Sequence, residues 1–407
     1  MKKYRRILAL GIAALLALPG CAGPGAADTE MSTPPASQPA TQEASTEETS
    51  QISDAPQPSH ITREVNEYFR IDADIDAPAR TVAIYRAELP ELGTEQVDRF
   101  MTVMGDQLTE PEDYTSDSVW HVIEGATEKG GSFIARNTVN TANLMQYGLR
   151  YSPPYDPDTV FPYDICLVSE SLLDPYCQQA CREQCNVELY TQPRPLSCGT
   201  EEDARQAISD ALDAMDISLE VEYNYILYLD HKTMNEAYNS DVVRNEYIRT
   251  GRELPPMEPL TEADDRLYLN FFFRLDGIRI SSQTIGNTTE AFFGAYGSSY
   301  FTQDGLENFY FMNPFHPAEV LDEVDVISPE EACDIAEELL GSLVDGRSTL
   351  MRAALEYYPT QDRDRWILKP IWTFTVWTEH PEQVLNDGSV FGLMSYYHID
   401  AVTGEEI

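Results

Sequence analysis

The pattern of apolar and polar residues predicts an α+β protein, with helices packed on antiparallel sheets in two or three repeated helix-plus-sheet units. Three observations predict it. First, "TEEDARQAISDAL" (residues 200–212) and "SPEEACDIAEELL" (328–340) superpose without a gap. Second, each is followed by strand-like runs, "LEVEYNYILYL" and "RLYLNFFFRLDGIRIS" after the first, "LMRAALEYYP", "WILKPIWTFTVW" and "FGLMSYYHIDAVTGEEI" after the second. Third, Asp276-Gly277 stands between two apolar runs, the signal of a two-residue hairpin turn. A helix laid on a sheet buries a face that either element alone leaves wet.

The two repeated helices carry their own start signals. Thr200 and Ser328 stand as N-caps, Asp203 and Glu331 at the position that closes a capping box, and Pro329 in the first turn. Ala204, Ala207, Ile208, Ala211 and Leu212 form one apolar stripe, matched by Ala332, Ile335, Ala336, Leu339 and Leu340. Upstream, Phe69, Ile71, Ala73 and Ile75 alternate with polar residues and predict a half-buried strand, with a second around Val82 to Tyr85. "TEQVDRFMTVMGDQL" predicts a helix with Val97, Phe100, Met101 and Met104 on one face. The acidic run "DADIDAP" lacks the glycine and the bidentate glutamate of a calcium loop, since Ala77 and Ala83 occupy those positions.

The N-terminus reads as an export signal. Basic "MKKYRR" precedes the apolar "ILALGIAALLAL", too short for a comfortable membrane span. "LPGC", Leu18 to Cys21, resembles the bacterial lipobox. That resemblance implies cleavage before Cys21, removal of residues 1–20, and a lipid anchor on the Cys21 sulfur at the outer side of the cell membrane. Residues 21–60, rich in Pro, Ser, Thr and Glu, lack the apolar content to bury a core and read as a disordered tether. The remainder divides into an N-terminal α+β domain (61–195), a first repeat unit (196–325) and a second (326–407).

The 407 residues include 69 acidic and 27 basic ones, a formal net charge of −42. Such a surface repels phosphate backbones, so nucleic acid is excluded as a partner. "LKPIWTFTVW" followed by "YYHIDAVTGEEI", with Asp400, Ala401, Thr403 and Gly404, resembles the end of PepSY-type domains and of the membrane-anchored regulators YycH and YycI. "IDADIDAP", "DGLENFYFMNP" and the "SPEEA" helix together resemble an uncharacterised family of surface lipoproteins from Gram-positive, clostridial-type bacteria. The PepSY likeness implies restraint or sensing of partners outside the membrane and carries over no catalytic residue.

Besides Cys21, the chain has Cys166, Cys177, Cys181, Cys185, Cys198 and Cys333, an even set. Three readings stay open for them: a disulfide framework, buried free thiols, or a metal cluster. The C-x3-C-x3-C spacing matches no common zinc knuckle. The aromatic run containing Phe292, Phe293, Tyr296, Tyr300, Phe309, Tyr310 and Phe311 either floors a groove for a glycan or peptide or packs the sheet. Six scattered histidines and the lack of H-E-x-x-H, G-x-S-x-G, S-x-x-K and P-loop motifs give no catalytic site and no cofactor. The expected role is binding or regulation at the cell envelope, with an envelope protein, peptide or glycan as partner. An envelope hydrolase built from dispersed residues and a transporter's solute-binding lipoprotein stand as alternatives.

Overall fold

The computed structural model describes residues 59–116, 120–138, 147–152, 154, 189–240, 258–283, 294–341, 346–362, 365–384 and 390–407, all within one unit, Pro56–Ile407. Its first third runs β1 (His60–Glu64), β2 (Phe69–Asp76), β3 (Thr81–Glu88), α1 (Thr94–Val103), β4 (Leu108–Ser116), β5 (Trp120–Thr127), β6 (Ser132–Thr138) and β7 (Tyr147–Ser152). Then come α2 (Glu201–Ala214), β8 (Glu220–Leu229), α3 (His231–Tyr238), β9 (Arg266–Leu275), β10 (Ile278–Ile280), β11 (Tyr296–Thr302), β12 (Gly305–Met312) and β13 (His316–Asp325). The chain closes with α4 (Pro329–Leu340), β14 (Arg347–Asp362), β15 (Arg365–Val384) and β16 (Val390–Asp400).

These sixteen strands join one mixed sheet, whose main path is β13-β3-β15-β14-β10-β9-β11-β12-β7-β6-β5-β4. Strand β2 pairs with β14 in parallel, as does β10, and the other pairings are antiparallel. The expectation of helices packed on antiparallel sheets in repeated units is therefore overturned. The fold is sheet-dominated, with four α-helices among the described residues. Strand length explains the difference. The 20 residues of β15 extend about 66 Å, whereas the 12 of α4 reach about 18 Å. A helix of that size cannot close off a unit around such a strand, so neighbouring strands continue the sheet instead.

The local elements follow their signals closely. Capping boxes close at Thr200/Asp203 and Ser328/Glu331. Ala204, Ile208, Ala211 and Leu212 are buried on α2, as are Ala332, Ala336 and Leu340 on α4, while Ala207, Ile335 and Leu339 are partly buried. Val97, Phe100, Met101 and Met104 are buried, and α1 packs beside α2. Asp276 and Gly277 both take positive φ (51° and 74°) and turn β9 into β10, the two-residue hairpin read from the sequence.

One face of the sheet supplies the main core. The row Phe271–Gly297–Phe311–Leu149–Ala135–Ile123 crosses six strands, β9, β11, β12, β7, β6 and β5, in register. A side chain at position 297 has no room, because a Cβ there would lie 2.3 Å from the Phe271 ring. Phe100 from α1 meets Phe133 at 5.7 Å and Phe309 at 5.6 Å. The opposite face is covered at one end, where Leu227, Tyr268 and Tyr300 stand in one row and pack with Met234 and Ala237 of α3.

Candidate functional site

The face opposite the main core collects the residues with chemistry to offer. Strand alternation decides which they are, since neighbours in a strand point to opposite sides. Tyr296 pairs in register with Phe272 and Met312, and Ser298 with Asn270 and Tyr310. Beyond them the two rows continue through Gly148, Arg136 and Val122, and through Arg150, Ile134 and Glu124. Tyr296 and Tyr310 are half-buried with ring centroids 5.8 Å apart. Burial, with Tyr296 alongside, pushes the Tyr310 hydroxyl well above the ordinary phenol range. Arg136 lies over the Trp120 ring at 5.4 Å, and the exposed Arg150 donates to Ser152 Oγ at 3.1 Å. Neither arginine forms an ion pair among the described residues.

The aromatic residues singled out in the sequence thus separate. Tyr296 and Tyr310 form a patch flanked by arginines, and Tyr300 packs against Tyr268 at 5.0 Å beneath α3. Phe309 and Phe311 point the other way, fully buried in the main core. Phe292 and Phe293 lie outside the described residues.

A second cluster on the same face was not read from the sequence. Glu222 accepts from Arg279 Nη2 at 2.7 Å and Nε at 3.2 Å, and from Arg274 Nε at 2.6 Å. Asp76 accepts from Arg352 Nη2 at 2.9 Å and approaches Arg274 Nη2 at 3.5 Å. Glu356 lies 3.5 Å from Arg352 Nη1 and accepts from Thr373 Oγ1 at 2.9 Å, and Thr373 Oγ1 lies 3.3 Å from His398 Nδ1. Arg279 also stacks on Phe272 at 4.2 Å. Burial alone would raise Glu222, but Arg279 and Arg274 outweigh it and hold the carboxyl at about 2. Burial lowers His398, against the pull of Glu356. Three arginines face three carboxylates, so the cluster is neutral and ties β2, β8, β9, β10, β14, β15 and β16 together. The signal for it was charged residues inside otherwise buried strands, Arg279 between Ile278 and Ile280, and Arg352 with Glu356 around Ala353 and Leu355.

A cleft of about 340 Å³ holds Ser197, His231 and Asp265, the residue types of a hydrolytic triad. Its hydrogen bonds serve the fold instead. Asp265 accepts from His231 Nδ1 at 2.7 Å, from the His231 backbone at 2.8 Å and from the Ser197 backbone at 3.1 Å. The Ser197 hydroxyl donates to the Glu262 carbonyl. A hydroxyl engaged on a carbonyl makes no bond to the imidazole that would activate it.

Of the cysteines, Cys198 and Cys333 are buried free thiols, each pushed up to about 11 by burial. Such thiols are small core residues with little thiolate to offer. Cys21, Cys166, Cys177, Cys181 and Cys185 lie outside the described residues. Among the described residues, no group of three or more His, Cys, Asp or Glu is placed to hold a metal ion.

No family model matches the chain, and no curated protein does. Among solved structures, an uncharacterized protein from Eubacterium rectale is similar, with a TM-score of 0.59 at 14% identity, over 86% of this chain and 93% of that one. At that identity the likeness speaks to the fold alone, and it spans nearly the whole of both chains.

Proposed function

We propose that the chain is an exported lipoprotein, anchored through Cys21, whose folded part binds a glycan or peptide outside the cell through the Tyr296–Tyr310 patch. One observation carries the binding reading. In a chain with 69 acidic residues against 27 basic ones, Arg136 and Arg150 flank a tyrosine pair with no carboxylate partner among the described residues. Aromatic faces stack on sugar rings and peptide groups, and a guanidinium without a carboxylate partner is available to a ligand's anionic or carbonyl oxygens. The ligand class that fits is an extended glycan or peptide bearing a carboxylate. The lipobox-like "LPGC" and the Pro/Ser/Thr/Glu-rich tether support the location.

Binding of cell-wall glycan and peptide fragments to the purified full chain tests the patch. Tyr310→Ala weakens binding about tenfold and the pair Arg136→Gln with Arg150→Gln about a hundredfold, as the loss of one stacking contact or of two charge-assisted contacts of about 1.4 kcal/mol each predicts. Unchanged affinity in both, with unfolding temperatures preserved, overturns the patch as the binding surface. Mass spectrometry of the chain from its membrane fraction tests the anchor separately. An acylated N-terminal Cys21 is expected, and an unmodified Cys21 or an intact residue 20–21 bond overturns it.

A further inference from the structure

The sides of the sheet left without a strand partner differ in how they are protected. Among the described residues, β1, β4, β8, β13 and β16 each pair with one strand only. A row of unpaired backbone groups invites another chain, and proteins blunt it with proline, bulges and charge. Strand β13 carries Pro317, two register shifts and the carboxylates of Glu319, Asp322, Glu323 and Asp325. Strand β4 has Pro111, one register shift, Glu110 at φ 54°, Glu112 and Asp113. Strand β8 has a register shift and Glu220 with Glu222, and β1 is five residues long with His60, Arg63 and Glu64.

Strand β16 lacks the proline and the carboxylates, and its one register shift against β15 falls at its very start, between Val390 and Phe391. From Val390 to Ile399 it contains no Asp, Glu, Lys, Arg or Pro, and from Phe391 to Asp400 its register with β15 is unbroken. Val390 and Leu393 are 42% and 49% exposed. Ile407 turns back to donate to the His398 carbonyl at 3.1 Å, which covers the C-terminal end of the open side and shows which backbone groups face it. By alternation, Gly392 and Met394 direct their N–H and C=O to that same side.

We propose that two copies of this chain associate through β16, as antiparallel strands related by a two-fold axis at Leu393. In that register Gly392 of each copy exchanges both backbone hydrogen bonds with Met394 of the other. Leu393 meets its own counterpart in the closely spaced, non-hydrogen-bonded pair. Charge identifies a second copy as the occupant. A chain of net charge −42 repels itself at strand edges lined with carboxylates, and β16 is the edge where that repulsion is absent. The row that crosses beside the axis, Arg347–Glu379–Gly392, carries one positive and one negative residue and so is balanced. The same uncharged strand also holds no charge to select a basic or acidic foreign peptide.

Light scattering on the purified full chain, across a dilution series, reads the mass directly. A species of twice 45.8 kDa is expected. Leu393→Lys, which places two like charges opposite each other at the axis and alters only an exposed side chain, abolishes the dimer at an unchanged unfolding temperature. Leu393→Cys gives, under mild oxidation, a disulfide that links position 393 of the two copies, read by peptide mass spectrometry, because a non-hydrogen-bonded antiparallel pair suits disulfide geometry. A monomer throughout the series overturns the proposal. So does a dimer that survives Leu393→Lys, which would place the contact elsewhere. Slow hydrogen exchange at Gly392 and Met394 in a monomer also overturns it, because a segment of the same chain or a bound peptide then occupies the edge.

Discussion

The two faces of this sheet solve the same burial problem with opposite chemistry. Under α1 and α2, Phe100, Phe133, Phe271, Phe309 and Phe311 interlock with no charge among them. On the reverse side of the same sheet, Arg279 of β10 and Arg352 and Glu356 of β14 are nearly as deeply buried, at 6%, 8% and 2% exposure. The first face gains from removing apolar surface from water and tolerates many arrangements of similar volume. The second gains little net stability from its charges but penalises any register in which a charge loses its partner. A wide sheet with both parallel and antiparallel pairings has many near-equivalent registers, and the charged face separates the correct one from the rest.

Truncating the apolar face gives the largest effect. Phe271→Ala leaves a cavity beside Gly297, Phe273 and Phe309 and costs about 3–5 kcal/mol in denaturant unfolding. A loss below about 1 kcal/mol would mean that the face closes up and that the contrast between the two sides is weaker than drawn. Acid attacks the charged face next. Because the folded-state pKa of Glu222, about 2, lies below its ordinary value of 4.5, its contribution is complete above pH 4.5. It is lost as the pH falls towards 2, and it amounts to at most about 3 kcal/mol.

His398 and His316 act at higher pH in the same direction. Burial lowers both, so below about 6.5 the unfolded chain takes up protons that the folded one refuses, and stability falls. Chemical denaturation between pH 8 and 2 should show both stages, with Glu222→Gln flattening the lower one and His398→Gln reducing the upper. A profile unaltered by either substitution would remove the charged face as a source of pH dependence. The smallest change touches neither face. Ser328→Ala opens the capping box at the start of α4 and costs about 1 kcal/mol, a reference against which the larger losses are judged.

What could be read in the sequence is what depends on neighbours in the chain. The caps at Thr200 and Ser328, the Asp276-Gly277 turn, the alternation of β2 and the stripe of α1 each involve residues within a few positions of one another. The single sheet could not be read that way. It depends on pairings such as Phe69 with Ser348 and Arg279 with Glu356, which join distant segments, and no local pattern reports them. The aromatic run lies between these cases. Grouping Phe309 with Tyr310 overlooked a rule the sequence already contained, since adjacent residues of one strand face opposite sides. Applied strictly, that rule leaves Tyr296 and Tyr310 together and sends Phe309 and Phe311 to the core. The charged cluster escaped notice because each member, taken singly, resembles an ordinary surface residue.

The neutrality of that cluster bears on how the molecule responds to its ionic surroundings. Mobile ions screen exposed charges within about 10 Å at 0.1 M and reach buried pairs far less. Over the chain, acidic residues outnumber basic ones 69 to 27, whereas in the buried cluster Arg274, Arg279 and Arg352 are matched by Asp76, Glu222 and Glu356. Added salt therefore relaxes the repulsion outside and leaves the attraction inside almost untouched, so that the protein is most firmly held together in brine and most strained in pure water.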